Sequence, residues 1–271
     1  MDYFISLILG IIQGITEFLP ISSSGHLIVF RDILNFQFSD SLRFDIALHF
    51  GTLVAIIVFF LKDVARLIKA FFTSFANLKK MNADQKVSWL IILGTIPAAV
   101  IGALFSEWID DYIRNTLVVI ITLIAGGILF LIIEKFYKAK LKIKDLNWKS
   151  ALTIGIAQAV ALIPGVSRSG ITIITGMGFK LQRTEAARFS FLLGIPAILG
   201  AAVWGAIKLD YSLMNNSDWL VFAIGIISSA VVGFFAIKFL LAILKKYSMR
   251  PFAYYRFVLA IILITYLVIK N

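Results

Sequence analysis

Long apolar stretches alternate with short polar ones along this chain, at a spacing that predicts membrane-spanning helices. A spanning helix needs about 20 mainly apolar residues. Six stretches fit that pattern: Phe44–Leu61, Val87–Phe105, Thr116–Ile133, Phe189–Ile207, Trp219–Phe239 and Phe252–Ile269. Two more are apolar but interrupted, Phe4–Phe30 at Pro20–Gly25 and Ala151–Phe179 at Pro164–Gly170. Each half is too short to cross alone. Broken helices at membrane depth are tolerated where protein or a water-filled cavity covers the loose backbone. Both therefore read as re-entrant hairpins that enter and leave on the same side.

The two interrupted stretches resemble each other. Gly10 and Gln13 are spaced as Gly155 and Gln158 are. Gln13 to Gly25 is twelve residues, as is Gln158 to Gly170; each interval holds one proline, and a serine (Ser24, Ser169) precedes each glycine. Position 17 is Glu, whereas the equivalent Leu162 is apolar. This register suggests a duplicated ancestor whose halves diverged chemically. One hairpin followed by three spans puts the second hairpin on the opposite face. The fold class predicted is an all-α polytopic membrane protein: six transmembrane helices plus two re-entrant hairpins in an inverted-topology repeat. It forms a single membrane domain, with repeat one about 1–137 and repeat two about 150–271. Such repeats place sites near the midplane.

Composition agrees with the pattern. Of 271 residues, 60% are hydrophobic and 15% charged, with mean hydropathy +0.94, where soluble domains are about half apolar and a quarter charged. The first segment lacks a basic leader region and a small-residue cleavage site, so it reads as mature structure rather than a signal peptide. The absence of cysteine excludes disulfides, thiolate metal sites and a cysteine nucleophile. The +11 net charge does not point to nucleic acid, because no soluble basic domain exists to carry such a site. It reflects loops instead. Lys62–Lys86, Lys135–Lys149, Lys180–Arg188 and Lys238–Arg250 hold nineteen basic residues, against five (Arg31, Arg43, Arg114, Lys208, Lys270) on the other side. The positive-inside rule puts the nineteen in the cytoplasm, both termini outside, and the first hairpin entering from the outer face. Glu107, Asp110, Asp111, Asp210 and Asp218 then lie in outer loops. Lys79–Lys80 and Lys140, Lys142 and Lys144 form a cytoplasmic rim against anionic headgroups.

The chemistry sits in the interruptions. A charge at the centre of a bilayer costs about 2.5–3.5 kcal/mol on insertion scales, so intramembrane polar residues are functional candidates. In QGITEFLPISSSGH, Gln13 and Glu17 are four apart and share a helix face. Pro20 ends that helix, Ser22, Ser23 and Ser24 form the turn, Gly25 permits it, and a return helix starts from Leu27. Serine hydroxyls and unpaired N–H groups at a helix N-terminus suit an anion; the plainer reading is that the serines only cap the helix. His26 is near enough to act on a serine or a phosphate. In PGVSRSGIT, Arg168 stands between Ser167 and Ser169 and presents a donor fork that matches phosphate oxygens. An internal ion pair with Glu17 is the alternative role. Glu17 and a phosphate are both negative, so a divalent cation between them would relieve the repulsion, and Mg²⁺ commonly uses one or two carboxylates plus phosphate oxygens. Asp45 and His49, four apart, read as supporting partners or an interfacial pair. Tyr255 and Arg256 read as an interfacial anchor. No nucleotide, haem or zinc motif occurs.

These residues resemble a known family. ExxxE-type spacing (Gln13 to Glu17 here) with PISSSGH, then PGVSRSGIT, is similar to the bacterial undecaprenyl-diphosphate phosphatases linked to bacitracin resistance. FDIALHFGT (44–52), RFSFLLGIPA (188–197) and PFAYYRF (251–257) also look like family segments. The resemblance implies hydrolysis of undecaprenyl diphosphate to the monophosphate and phosphate, recycling the carrier for cell-wall precursors, in the bacterial plasma membrane. By motif position it brings in Gln13, Glu17, Ser22, Ser23, Ser24, His26, Ser167, Arg168, Ser169 and Thr172. Position 13 is Gln where many members carry Glu, which removes one candidate carboxylate. The expectation is an outward-opening site. Glu17, Ser23, His26 and Arg168 are catalytic, with Ser23 the nucleophile and His26 its acid/base partner; attack by His26 itself is the main variant. Gln13, Ser22, Ser24, Gly165, Ser167, Ser169 and Thr172 bind substrate. Glu17 holds a divalent cation, Mg²⁺ or Ca²⁺. Partners are the prenyl diphosphate and membrane lipids, without nucleic acid; the sequence is compatible with a homo-oligomer. A transporter or flippase of an anionic lipid is the rival reading, because inverted repeats with broken helices recur in transporters.

Overall fold

In a computed structural model of the chain, the structure describes residues 2–34, 41–207 and 216–270. These fold into helices α1 (Asp2–Phe18), α2 (Ser23–Leu34), α3 (Ser41–Phe59), α4 (Leu61–Ser74), α5 (Ala83–Trp108), α6 (Thr116–Phe136), α7 (Trp148–Val160), α8 (Arg168–Gly178), α9 (Arg183–Ile207), α10 (Asn216–Leu244) and α11 (Arg250–Lys270). The chain is an all-α polytopic membrane protein. Five of the described helices, α5, α6, α9, α10 and α11, are long and apolar enough to cross a membrane. The sixth expected span, α3, qualifies only together with α4, to which it is bent by 84°. The two interrupted stretches break as expected, into α1/α2 and α7/α8. Lys208 and Asp210, two charges assigned to the outer side, lie outside the described residues.

Helix α4 occupies what reads in sequence as a loop. Its inward positions Leu67, Ala70 and Ser74 are buried while Leu61, Ile68 and Phe72 stay exposed. The bend turns α4 away from the line of α3, with Leu67, Ala70 and Ser74 on its packed face. Asp63 anchors it, accepting from Arg66 at 2.9 Å and from Arg188 of α9 at 2.6 Å.

Lipid is as apolar as a leucine side chain, so helices in membranes associate by close backbone approach at small residues and by buried polar ties. Both devices occur. α1 packs on α10 and α7 on α5. A Cβ added at Gly10 would collide with Ser228 and the Gly225 carbonyl, and one at Gly155 would collide with the Gly94 backbone. One buried polar tie is Glu134 at the end of α6. It accepts from Arg183 at 2.9 and 2.6 Å and from the Met249 N–H at 2.6 Å. One carboxylate thereby joins the end of α6 to the starts of α9 and α11. The aromatic core sits beside the two breaks, where Phe18 meets Phe191 edge-on at 5.5 Å and Phe130 and Phe189 are buried.

Candidate active site

The first break is built by Ser22. Its φ of 75° puts it in the left-handed region, which is unusual for a side chain larger than glycine. That turn lets its Oγ accept the Gly25 N–H at 3.2 Å and its carbonyl accept the His26 N–H at 3.3 Å. The result is an N-cap, so α2 begins at Ser23 rather than near Leu27 as the sequence suggests. Ser23 therefore rides on the first helical turn, and its hydroxyl donates to Glu17 Oε2 at 2.8 Å.

The second break repeats the device. Ser167 has φ 71° and its Oγ accepts the Gly170 N–H at 3.2 Å, starting α8 at Arg168. The two tips touch. Gly165, at φ +88° where a side chain would be strained, donates its N–H to Ser24 Oγ at 3.2 Å. Across this contact Arg168 Nη2 donates to Glu17 Oε1 at 2.8 Å. Arg168 Nη1 reaches the Ser190 carbonyl at 3.2 Å. A Cβ on Gly194 would land on the guanidinium, so glycine there gives Arg168 its place. Thr172 donates to the Arg168 carbonyl at 2.7 Å and lies 2.6 Å from Ser190 Oγ, bracing α8 against α9. Ser169 lies 3.4 Å from Ser167, as Ser24 does from Ser22.

Glu17 is the hub, 6% exposed. Besides Ser23 and Arg168 it accepts from Gln13 Nε2 at 3.2 Å and faces His49 Nε2 at 3.5 Å. A buried carboxylate persists only when so paired. His49 thus joins the site as a supporting partner, while Asp45 pairs with Arg114 at 2.6 Å. Gln13 Oε1 is buried without a partner. Among the described residues no three His, Asp or Glu side chains cluster as metal ligands. The Gln13 amide turns its nitrogen to the Glu17 carboxylate and leaves Oε1 as the oxygen without a partner.

Two expectations need correction. Ser23 is bonded to Glu17 and not to His26; the imidazole reaches the Ser22 carbonyl through Nδ1 at 2.7 Å and Tyr255 Oη through Nε2 at 2.7 Å. The reason is the early start of α2, which turns Ser23 toward α1 and His26 toward α11. Arg256, expected as an interfacial anchor, is wholly buried. It donates to the Leu123 carbonyl at 3.1 Å and that of Thr122 at 2.8 Å in α6. It also donates to Pro20 at 3.5 Å in the first break, and to Gly165 at 3.0 Å and Val166 at 3.1 Å in the second. Its fork thereby clamps both tips to one helix. Its place a short way inside an apolar span was the available signal, since a charge there must find partners.

The arrangement brings a hydroxyl on a carboxylate, a guanidinium and two helix N-termini to one point. The chain matches the family described as bacitracin resistance protein BacA over residues 6–262. It is 44% identical to an undecaprenyl-diphosphatase of Rubrobacter xylanophilus, over 94% of each chain. It is also 44% identical to one of Thermodesulfovibrio yellowstonii, covering 100% of this chain and 99% of that one. The identity to the enzyme of that name from Caldicellulosiruptor bescii is 41%, over 100% and 99%.

Proposed function

Because the chain belongs to the bacitracin resistance protein BacA family, we propose that it hydrolyses undecaprenyl diphosphate to undecaprenyl phosphate and phosphate. It thereby recycles the lipid carrier for cell-wall synthesis and confers bacitracin resistance. The observation that carries this reading is the meeting of Glu17 and Ser23 from one break with Arg168 from the other, within 2.8 Å contacts.

In the resting protein Arg168 neutralises Glu17. The terminal phosphate of the substrate draws the guanidinium to itself, because its oxygens match the planar fork. Glu17, released, takes the Ser23 proton along the hydrogen bond already in place. Ser23 Oγ bonds to the terminal phosphorus, the bridging P–O bond breaks, and undecaprenyl phosphate leaves with the electron pair. Arg168 and the N–H groups opening α2 and α8 stabilise the charge on the transferring phosphoryl. Water then attacks the phosphoserine with His26 as the base, phosphate departs, and Ser23 regains its proton from Glu17. Ser24 and Gly165 close the two tips on each other, Ser22 and Ser167 cap the helices that start there with Ser169 beside Ser167, and Thr172 braces α8 against α9. Glu17 and the unpartnered Gln13 Oε1 are the groups that would hold a divalent cation, Mg²⁺ or Ca²⁺. When bound, such a cation supplies charge neutralisation for the diphosphate.

The bias of basic residues to one set of loops supports a bacterial plasma-membrane orientation with both termini outside and the site open to the outer face. Detergent-purified protein should release phosphate from undecaprenyl diphosphate, more slowly after EDTA. Net lipid movement in proteoliposomes without phosphate release would favour the transporter reading instead.

A further inference from the structure

We infer that Tyr255 is a positioning residue for this reaction, acting through His26. It presents the imidazole in a single neutral tautomer with the proton on Nδ1 and the lone pair on Nε2. The inference rests on the phosphatase reading above for what the imidazole then does.

Four observations converge. Arg256, the next residue, is buried and bonded to main-chain carbonyls at both tips, so the α11 backbone at Tyr255 is fixed against the site. The Tyr255 ring stacks on His26 with centroids 5.7 Å apart and planes 14° apart. His26 Nδ1 lies 2.7 Å from the Ser22 carbonyl, which can only accept, so Nδ1 carries a proton. In the neutral ring Nε2 is then the acceptor, and the phenol 2.7 Å away is its donor. The second partner of a histidine sets which nitrogen is protonated and how the ring is oriented.

The chemistry follows from where these groups sit. Ser22 is buried, whereas Tyr255 is 43% exposed. The basic nitrogen therefore faces the more exposed of its two partners. The proton-bearing nitrogen faces the main chain. Without the hydroxyl, Nδ1–H stays on the Ser22 carbonyl, but Nε2 loses its donor and the ring loses half of what fixes its angle.

The chain has two histidines, so ring-¹⁵N-labelled protein gives a spectrum simple enough to read, with His26→Gln identifying the His26 signals by their loss. Wild type should show Nδ1–H and a lone pair on Nε2. Tyr255→Phe keeps the stacked ring and the Nδ1 proton on the Ser22 carbonyl; it should move the Nε2 resonance to that of a lone pair without a donor and lower kcat about tenfold, the effect of one neutral hydrogen bond, with KM little changed. Tyr255→Leu, which also loses the stack, should fall further. A proton on Nε2 in wild type would overturn the inference, as would Tyr255→Phe with an unaltered Nε2 resonance and kcat. Should wild type release no phosphate, the phosphatase reading fails, and the spectra still decide whether Tyr255 sets the state of His26.

Discussion

The two breaks share a backbone and its capping serines but differ in the charged groups they deliver. Ser22 and Ser167 stand at φ 75° and 71°, each capping a glycine N–H at 3.2 Å and each 3.4 Å from the next-but-one serine. In that same register Glu17 corresponds to Leu162, Ser23 to Arg168, and, in the helices packed behind, His49 to Gly194. The first break carries an acid, a hydroxyl and an imidazole; the second carries a guanidinium and the empty space it needs. One turn geometry delivers side chains to a common point twice. What it delivers was free to diverge, and divergence into opposite charges is what lets the tips close on each other.

Removing the charge of the second break should have the largest effect. Arg168→Ala should lower kcat for phosphate release about 10³-fold, in line with the cost of losing a charge-stabilising donor. It also leaves Glu17 buried beside fewer partners, so a thermal melt should fall as well. Arg168→Ala turning over at the wild-type rate would remove the second break from the chemistry altogether.

Next comes the space behind the arginine. Gly194→Ala leaves every functional group in place but sets a methyl against the guanidinium. A displacement of about 1 Å can cost on the order of 10²-fold in rate. A loss of that order in kcat, with the protein still folded by circular dichroism, is expected; an unaffected rate would show that Arg168 has other places to sit.

The smallest effect tests what the breaks have in common. Ser22→Ala and Ser167→Ala each lose a cap, worth about 1 kcal/mol. The two should destabilise the protein by similar amounts in a reversible unfolding assay in detergent. A large inequality between them would mean that the matched geometry hides unequal strain.

Much of this comparison is legible in the chain itself. The breaks, their common spacing and the Glu17 and Arg168 charges stand out because hydrocarbon tolerates neither loose backbone nor unpaired charge. The Glu17–Arg168 ion pair, the alternative role for the arginine, is what the structure contains. Other features depend on which helices pack together, and hydropathy is silent on that. Arg256 and Tyr255 reach the tips from the last helix, far along the chain from both breaks. Helix α4 carries enough charge to pass for a loop. The start of α2 hinges on one serine adopting a left-handed turn, and with it goes the pairing of Ser23 to Glu17 rather than to His26.

The central claim is that Ser23, activated by Glu17 and met by Arg168, receives the phosphoryl group. Rapid quenching of wild-type protein with terminally radiolabelled undecaprenyl diphosphate, followed by peptide mapping, tests it most directly. The account predicts transient label on Ser23, formed and lost at rates compatible with turnover and absent from Ser23→Ala. Label trapped on His26 would contradict it.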